Sequence, residues 1–97
     1  MIRHLVMLRW RDAGARDGIV AALADLAKLP GVLSFRVIEN VSPETAVVHG
    51  FRDGFAFDFA DAAARDAYLA HPAHVAVGTR IVASCGVEGV QVVDWEV

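Results

Sequence analysis

Four consecutive residues near the start of the chain, Leu5-Val6-Met7-Leu8, are apolar whichever way the backbone turns them. They sit at the centre of Ile-Arg-His-Leu-Val-Met-Leu-Arg-Trp, residues 2–10, which reads as a strand. His4, Val6, Leu8 and Trp10 point one way, and Arg3, Leu5, Met7 and Arg9 the other. A strand that is apolar on both sides needs cover on both sides. Any fold for this chain must therefore supply two layers over one sheet.

The remaining elements follow in order. Asp12 can start a helix, and residues 15–29 carry Ile19, Leu23, Leu26 and Ala27 at helical spacing, with Pro30-Gly31 as the stop. Residues 32–41 alternate as a second strand. Residues 40–54 hold Ser42-Pro43-Glu44 and Asp53-Gly54, which is turn chemistry, with Val47 and Val48 extending a strand or covering an edge. Phe55, Phe57 and Phe59 share one face of a third strand. Asp61 suits the N-cap of a helix over 62–70. His71-Pro72 then interrupts, and proline at a first helical turn predicts a second helical segment over 72–84. Gly86 and Gly89 turn the chain into a last strand over 90–95.

Strand, helix, strand, strand, helix, strand is the ferredoxin-like βαββαβ order. It predicts an α+β fold, one domain over residues 1–97, with a four-stranded antiparallel sheet. Both helices of such a unit lie on one face of the sheet. The expectation is that Val6, Leu8 and Trp10 lie on the other face, a patch larger than monomers usually expose. A second copy stacked there closes it, giving a homodimer with an α/β barrel between subunits. The alternative is that residues 40–54 or the C-terminal tail fold over that face.

Composition supports a partner. The chain has 97 residues and is 56% hydrophobic, above the ~45–50% of ordinary domains. A domain of this size buries only roughly two thirds of its unfolded surface. The net charge of −3 comes without a basic stripe, which argues against nucleic acid. Cys85 is the single cysteine and cannot form an internal disulfide. No apolar run reaches the ~18 residues of a membrane span, and Met-Ile-Arg-His does not open a signal peptide. The expectation is a soluble cytoplasmic protein.

Several stretches together resemble the stress-responsive α/β barrel family, often called Dabb. They are the opening Ile-Arg-His-Leu-Val-Met-Leu-Arg-Trp, Glu39-Asn40-Val-Ser42, Tyr68-Leu-Ala-His71-Pro72-Ala-His74-Val75 and Val93-Asp94-Trp95. The resemblance covers almost the whole chain, and Tyr-x-x-His-Pro-x-His is its most specific part. It implies a dimeric α+β barrel. One branch, a plant polyketide cyclase, carries out intramolecular aldol condensation without metal or organic cofactor. By that likeness His74 matches the base, Asp94 its orienting carboxylate, Tyr68 an assisting hydroxyl, and His4 a pocket contact. Phe55 and Phe57 stand in the pocket walls, which differ from those of that branch. The chain departs from that branch at the start of the third strand, where Asp53 stands in place of a histidine.

The chemistry of these residues fits such roles. A neutral imidazole exchanges protons near neutral pH. His74 would sit in the first turn after Pro72, where the positive end of a helix favours its neutral form. A carboxylate such as Asp94 fixes a tautomer and steadies the imidazolium that forms. Tyr68 can donate to a developing oxyanion. Such a set suits proton abstraction next to a carbonyl followed by ring closure, or a lyase reaction of similar demand. The other reading is a structural His74–Asp94 bond tying a helix to the last strand, in a ligand-binding or stress-related homodimer. His71 reads as the residue that ends one helix and starts the next. His4 reads either as a pocket residue or as a buried histidine at the barrel rim. Pro72 breaks the regularity that would let His71 and His74 share a metal, so neither metal nor cofactor is expected.

Overall fold

The computed structural model describes residues 1–97. Its strands are β1 (Ile2–Leu8), β2 (Val32–Glu39), β3 (Asp53–Phe59) and β4 (Val90–Glu96). They form one sheet of order β2-β3-β1-β4, with every neighbouring pair antiparallel. The helices are α1 (Arg16–Leu26), a single turn α2 (Thr45–Val48), α3 (Ala62–Ala70) and α4 (Pro72–Cys85). The chain thus adopts the ferredoxin-like α+β fold. Several bounds differ from the sequence reading: β1 stops at Leu8 rather than Trp10, α1 at Leu26 rather than Leu29, and β2 at Glu39 rather than Val41. Asp53 and Gly54 open β3 rather than a turn, and Val47 and Val48 lie in a helical turn rather than a strand. None of the helices is long and apolar enough to cross a membrane.

Local chemistry sets the helix ends. The Asp61 carboxylate accepts from the Ala64 amide at 2.8 Å, capping α3. His71 is extended, at φ −66° and ψ 133°, and its Nδ1 accepts from the Ala73 amide at 3.0 Å. Pro72 follows at the first position of α4, where its missing N–H costs nothing. His71 therefore ends one helix and caps the next.

The covered face of the sheet is the reverse of the one expected. Ile2, Val6 and Leu8 are buried beneath the helices, beside Phe55, Phe57 and Phe59. Ile19, Leu23 and Leu26 of α1, Tyr68 of α3, and Val77, Ile81 and Cys85 of α4 close over them. Trp10 also packs against this core, and its Nε1 donates to Asp53 at 2.8 Å. Cross-strand register decides the matter. Ile2, His4 and Val6 lie opposite Phe59, Phe57 and Phe55, so the largest apolar groups of two central strands share one side. Alternation within β1 alone could not choose, because both of its faces are apolar.

The uncovered face carries Leu5 and Met7 of β1, with Val93 opposite Leu5 and Gly54 opposite Met7. Ile38 lies beyond Gly54. One corner of the same face is ionic. Asp58 accepts from Arg3 at 2.8 Å and from Ser34 at 2.8 Å, and Arg36 lies 3.4 Å away. The Arg3 guanidinium, aided by the Ser34 hydroxyl, holds the Asp58 carboxyl below its usual range against the pull of burial.

Gly54 lets β3 lie flat against β1. A Cβ there would stand 2.5 Å from the Val6 carbonyl oxygen and 2.5 Å from the Met7 sulfur. The sulfur can move but the backbone oxygen cannot do so without distorting the ladder. Gly54→Ala is expected to destabilise the fold by about 1–3 kcal/mol, measured by chemical denaturation.

Candidate functional site

A cavity of about 310 Å³ lies between the sheet and the helices of a single chain. It lies on the helix side of the sheet, away from the face left for a second copy. Val6 and Phe55 form its floor, Val90 and Val92 one side, and Leu69, Ile81 and Val82 the roof. Leu69, Val82 and Val92 are partly exposed and mark the mouth. His4, His74 and Asp94 are the polar groups on its wall. A cavity of this size is at the small end of ligand sites, which run ~300–1,000 Å³.

Gly78 also lines the cavity, one turn beyond His74 on α4. A Cβ at this position would meet no heavy atom within 4 Å. Glycine inside a helix costs about 1 kcal/mol relative to alanine. Here no close packing requires it; its effect is to leave room.

His74 occupies the first turn of α4, as expected. Its partner is not Asp94. The Nδ1 of His74 lies 3.0 Å from the carbonyl oxygen of Leu69. That carbonyl belongs to the last turn of α3, where helix ends leave acceptors unsatisfied. A carbonyl can only accept, so Nδ1 carries the hydrogen and Nε2 keeps a lone pair. Burial lowers the His74 pKa, the Leu69 bond opposes it, and charge on His4 pushes it further down. The direction agrees with the sequence reading, but the leading cause is burial rather than the helix end.

Asp94 instead meets His4, at 2.7 Å from Oδ1 to Nδ1. The two residues are cross-strand partners in the β1–β4 ladder, which brings them side by side. The other carboxylate oxygen, Oδ2, accepts from Arg65 of α3 at 3.1 Å. His4 is buried on the helix side of β1, so it faces this cavity and not a barrel interior between subunits. Arg65 was not singled out in the sequence. A lone surface arginine on a helix gives no signal until the last strand is placed beneath it.

Tyr68 lies behind the two histidines. Its ring centroid is 4.6 Å from that of His74 and 6.3 Å from that of His4. It packs between Phe57 and Phe59 at 5.1 and 4.9 Å. Its hydroxyl is buried without a hydrogen-bond partner, and the side chain does not line the cavity. Burial pushes its pKa well up, so it stays protonated. Phe57 is fully buried in the same core and forms no part of the cavity wall, whereas Phe55 does. Asp53, at the position where the cyclase branch has a histidine, is engaged by Trp10 outside this cavity. No three His, Cys, Asp or Glu side chains converge in a way that would hold a metal ion.

The stress responsive A/B barrel domain, Dabb, matches residues 2–97. A dimeric ferredoxin-like protein of unknown function from Jannaschia sp. CCS1 is 43% identical, with a TM-score of 0.85 over 99% of this chain and 98% of that one. A Dabb family protein with a ferredoxin-like fold from Mesorhizobium loti is 31% identical, with a TM-score of 0.80 over 99% and 95%. A hydroxynitrile lyase from Passiflora edulis shares the fold at 18% identity, with a TM-score of 0.84 over 99% and 92%. No curated protein matches significantly. With the family matched from Ile2 to Val97, the chain belongs to the stress responsive A/B barrel family.

Proposed function

We propose that the protein is a homodimer whose subunits each hold a small molecule in the cavity beside His74 and move a proton on it without a cofactor. The observation that carries this reading is the Leu69 carbonyl at 3.0 Å from Nδ1 of His74. It leaves a bare Nε2 on an imidazole that borders a largely apolar cavity. A lowered pKa keeps that nitrogen free at neutral pH. The reaction class is that of a cyclase or lyase acting on a polyketide-like or aromatic substrate. The Passiflora lyase supports it only in that the same fold houses lyase chemistry there. Asp94 serves through His4, and Tyr68 backs both rings from the core rather than reaching the substrate.

The test uses two probes, mandelonitrile and a linear aryl triketone, with products followed by chromatography. Wild type is expected to consume one of them at least about 10²-fold faster than His74→Gln, the usual scale for loss of a general base. The acid limb of kcat/KM should fall below the ordinary histidine value of ~6.5. Equal rates for the two proteins with both probes would reject catalysis.

A second reading is a non-catalytic ligand-binding homodimer. It is favoured by the Asp94 carboxylate being spent on His4 and Arg65, as in a structural strap. Gly78 tests the occupant that both readings share. Gly78→Ala is expected to raise stability by about 1 kcal/mol, or roughly 4–8 °C in Tm. Gly78→Leu should fill the space, keep the fold and abolish binding of any cavity ligand, as seen by NMR titration.

The homodimer rests on the uncovered Leu5, Met7, Ile38 and Val93, and on the Jannaschia relative being described as dimeric. Leu5→Glu places a charge at the centre of that face. It is expected to yield a folded monomer in sedimentation runs at micromolar concentration, where wild type sediments as a dimer.

A further inference from the structure

The polar end of the cavity is one-sided in its hydrogen bonding. Both imidazoles have their Nδ1 hydrogens committed, His74 to the Leu69 carbonyl and His4 to the Asp94 carboxylate. In the neutral rings each Nε2 is then an acceptor. Neither Nε2 has a hydrogen-bond partner within the chain, and neither is sealed from solvent in the way the Tyr68 hydroxyl is. Asp94 can only accept, and its two oxygens are held by His4 and Arg65. The hydroxyl of Tyr68 could donate, but it is shut in the core. The other side chains on the wall, from Val6 to Val92, are apolar.

From this inventory we infer that the cavity selects small neutral molecules that donate through an O–H group, an alcohol, phenol or enol, over carbonyl compounds of the same size and over carboxylates. The inference rests on the ligand-binding reading above and adds the class of ligand. A carbonyl-only ligand finds no donor there and loses its water for nothing in return. A carboxylate meets two lone pairs and the Asp94 charge in an apolar surround. An O–H group finds an acceptor already oriented.

Arg65 is a positioning residue in this arrangement. Its Nη1 holds Oδ2 of Asp94 at 3.1 Å, and its other nitrogens hold Asp66, also at 3.1 Å. Anchored from both sides, the Asp94 carboxylate stays on His4 and fixes that ring with Nδ1–H inward and Nε2 unpaired. Without Arg65, Oδ2 becomes a loose acceptor and the carboxylate is free to rotate away from the ring.

The test compares 1-phenylethanol, acetophenone and benzoate, which share a size and differ in donor, acceptor and charge. Binding to the full-length protein is followed at pH 8 by NMR, reading the side-chain nitrogens of His4 and His74. The alcohol is expected to bind about tenfold tighter than the ketone, with Nε2 of one or both rings shifting, and benzoate not to bind. Arg65→Gln should reduce the alcohol-to-ketone ratio several-fold and raise the share of the other His4 tautomer, leaving His74 as it was. Arg65→Lys should restore part of the ratio. A ketone that binds as tightly as the alcohol, or a benzoate that binds better than either, overturns this inference while the cavity remains a ligand site. No binding by any of the three overturns both. An unchanged ratio and tautomer in Arg65→Gln overturns the role given to Arg65.

Discussion

The interruption between α3 and α4 is what the site depends on. Proline cannot continue a helix, so the backbone opens at His71 and restarts one residue later. A broken helix has loose ends, and here both are tied by imidazoles. His71 accepts from the Ala73 amide at the start of α4, and His74 donates to the Leu69 carbonyl at the end of α3. The second tie does double duty. It satisfies an acceptor that would otherwise face an apolar cavity, and it settles which nitrogen of His74 holds the proton. A helix unbroken across residues 62–85 would offer no free carbonyl there and no fixed tautomer.

The sheet supplies the opposite wall by register alone. His4 and Asp94 are ninety residues apart in sequence and adjacent in the ladder. One step of slippage would turn one of them to the uncovered face. On β1 such a slip would carry Ile2, Val6 and Leu8 out of the core and away from the phenylalanines of β3, and on β4 it would lift Val90 off that core. Packing thus fixes the polar geometry of the site, through groups that do not themselves take part in it.

This explains what could be read from the sequence and what could not. Element order, the Asp61 cap and the break at Pro72 are local matters, written in residue type and spacing, and all are found in the structure. The choice of buried face was not local. Val6 and Leu8 are no more apolar than Leu5 and Met7, and only the partner strand decides between them. The same holds for Asp94. Its place on the last strand was legible, but whether it would meet His74 above it or His4 beside it depended on register. Tyr68 and Phe57 stand near the cavity in sequence terms yet belong to the aromatic core, because Phe59 and Phe35 pull that layer together. Gly78 is one glycine among eight in the sequence, and nothing but the empty space beside it marks it out.

That empty space has a bearing on how chains of this fold can diverge. The groups that handle protons are anchored at the helix break and in the β1–β4 ladder, while the reach of the chamber is set a turn further along α4. Side chains of graded bulk at position 78 would shorten the guest methyl by methyl without disturbing a single hydrogen bond at the other end. Appetite and chemistry are thereby placed on separate handles, and the first can drift while the second stays put.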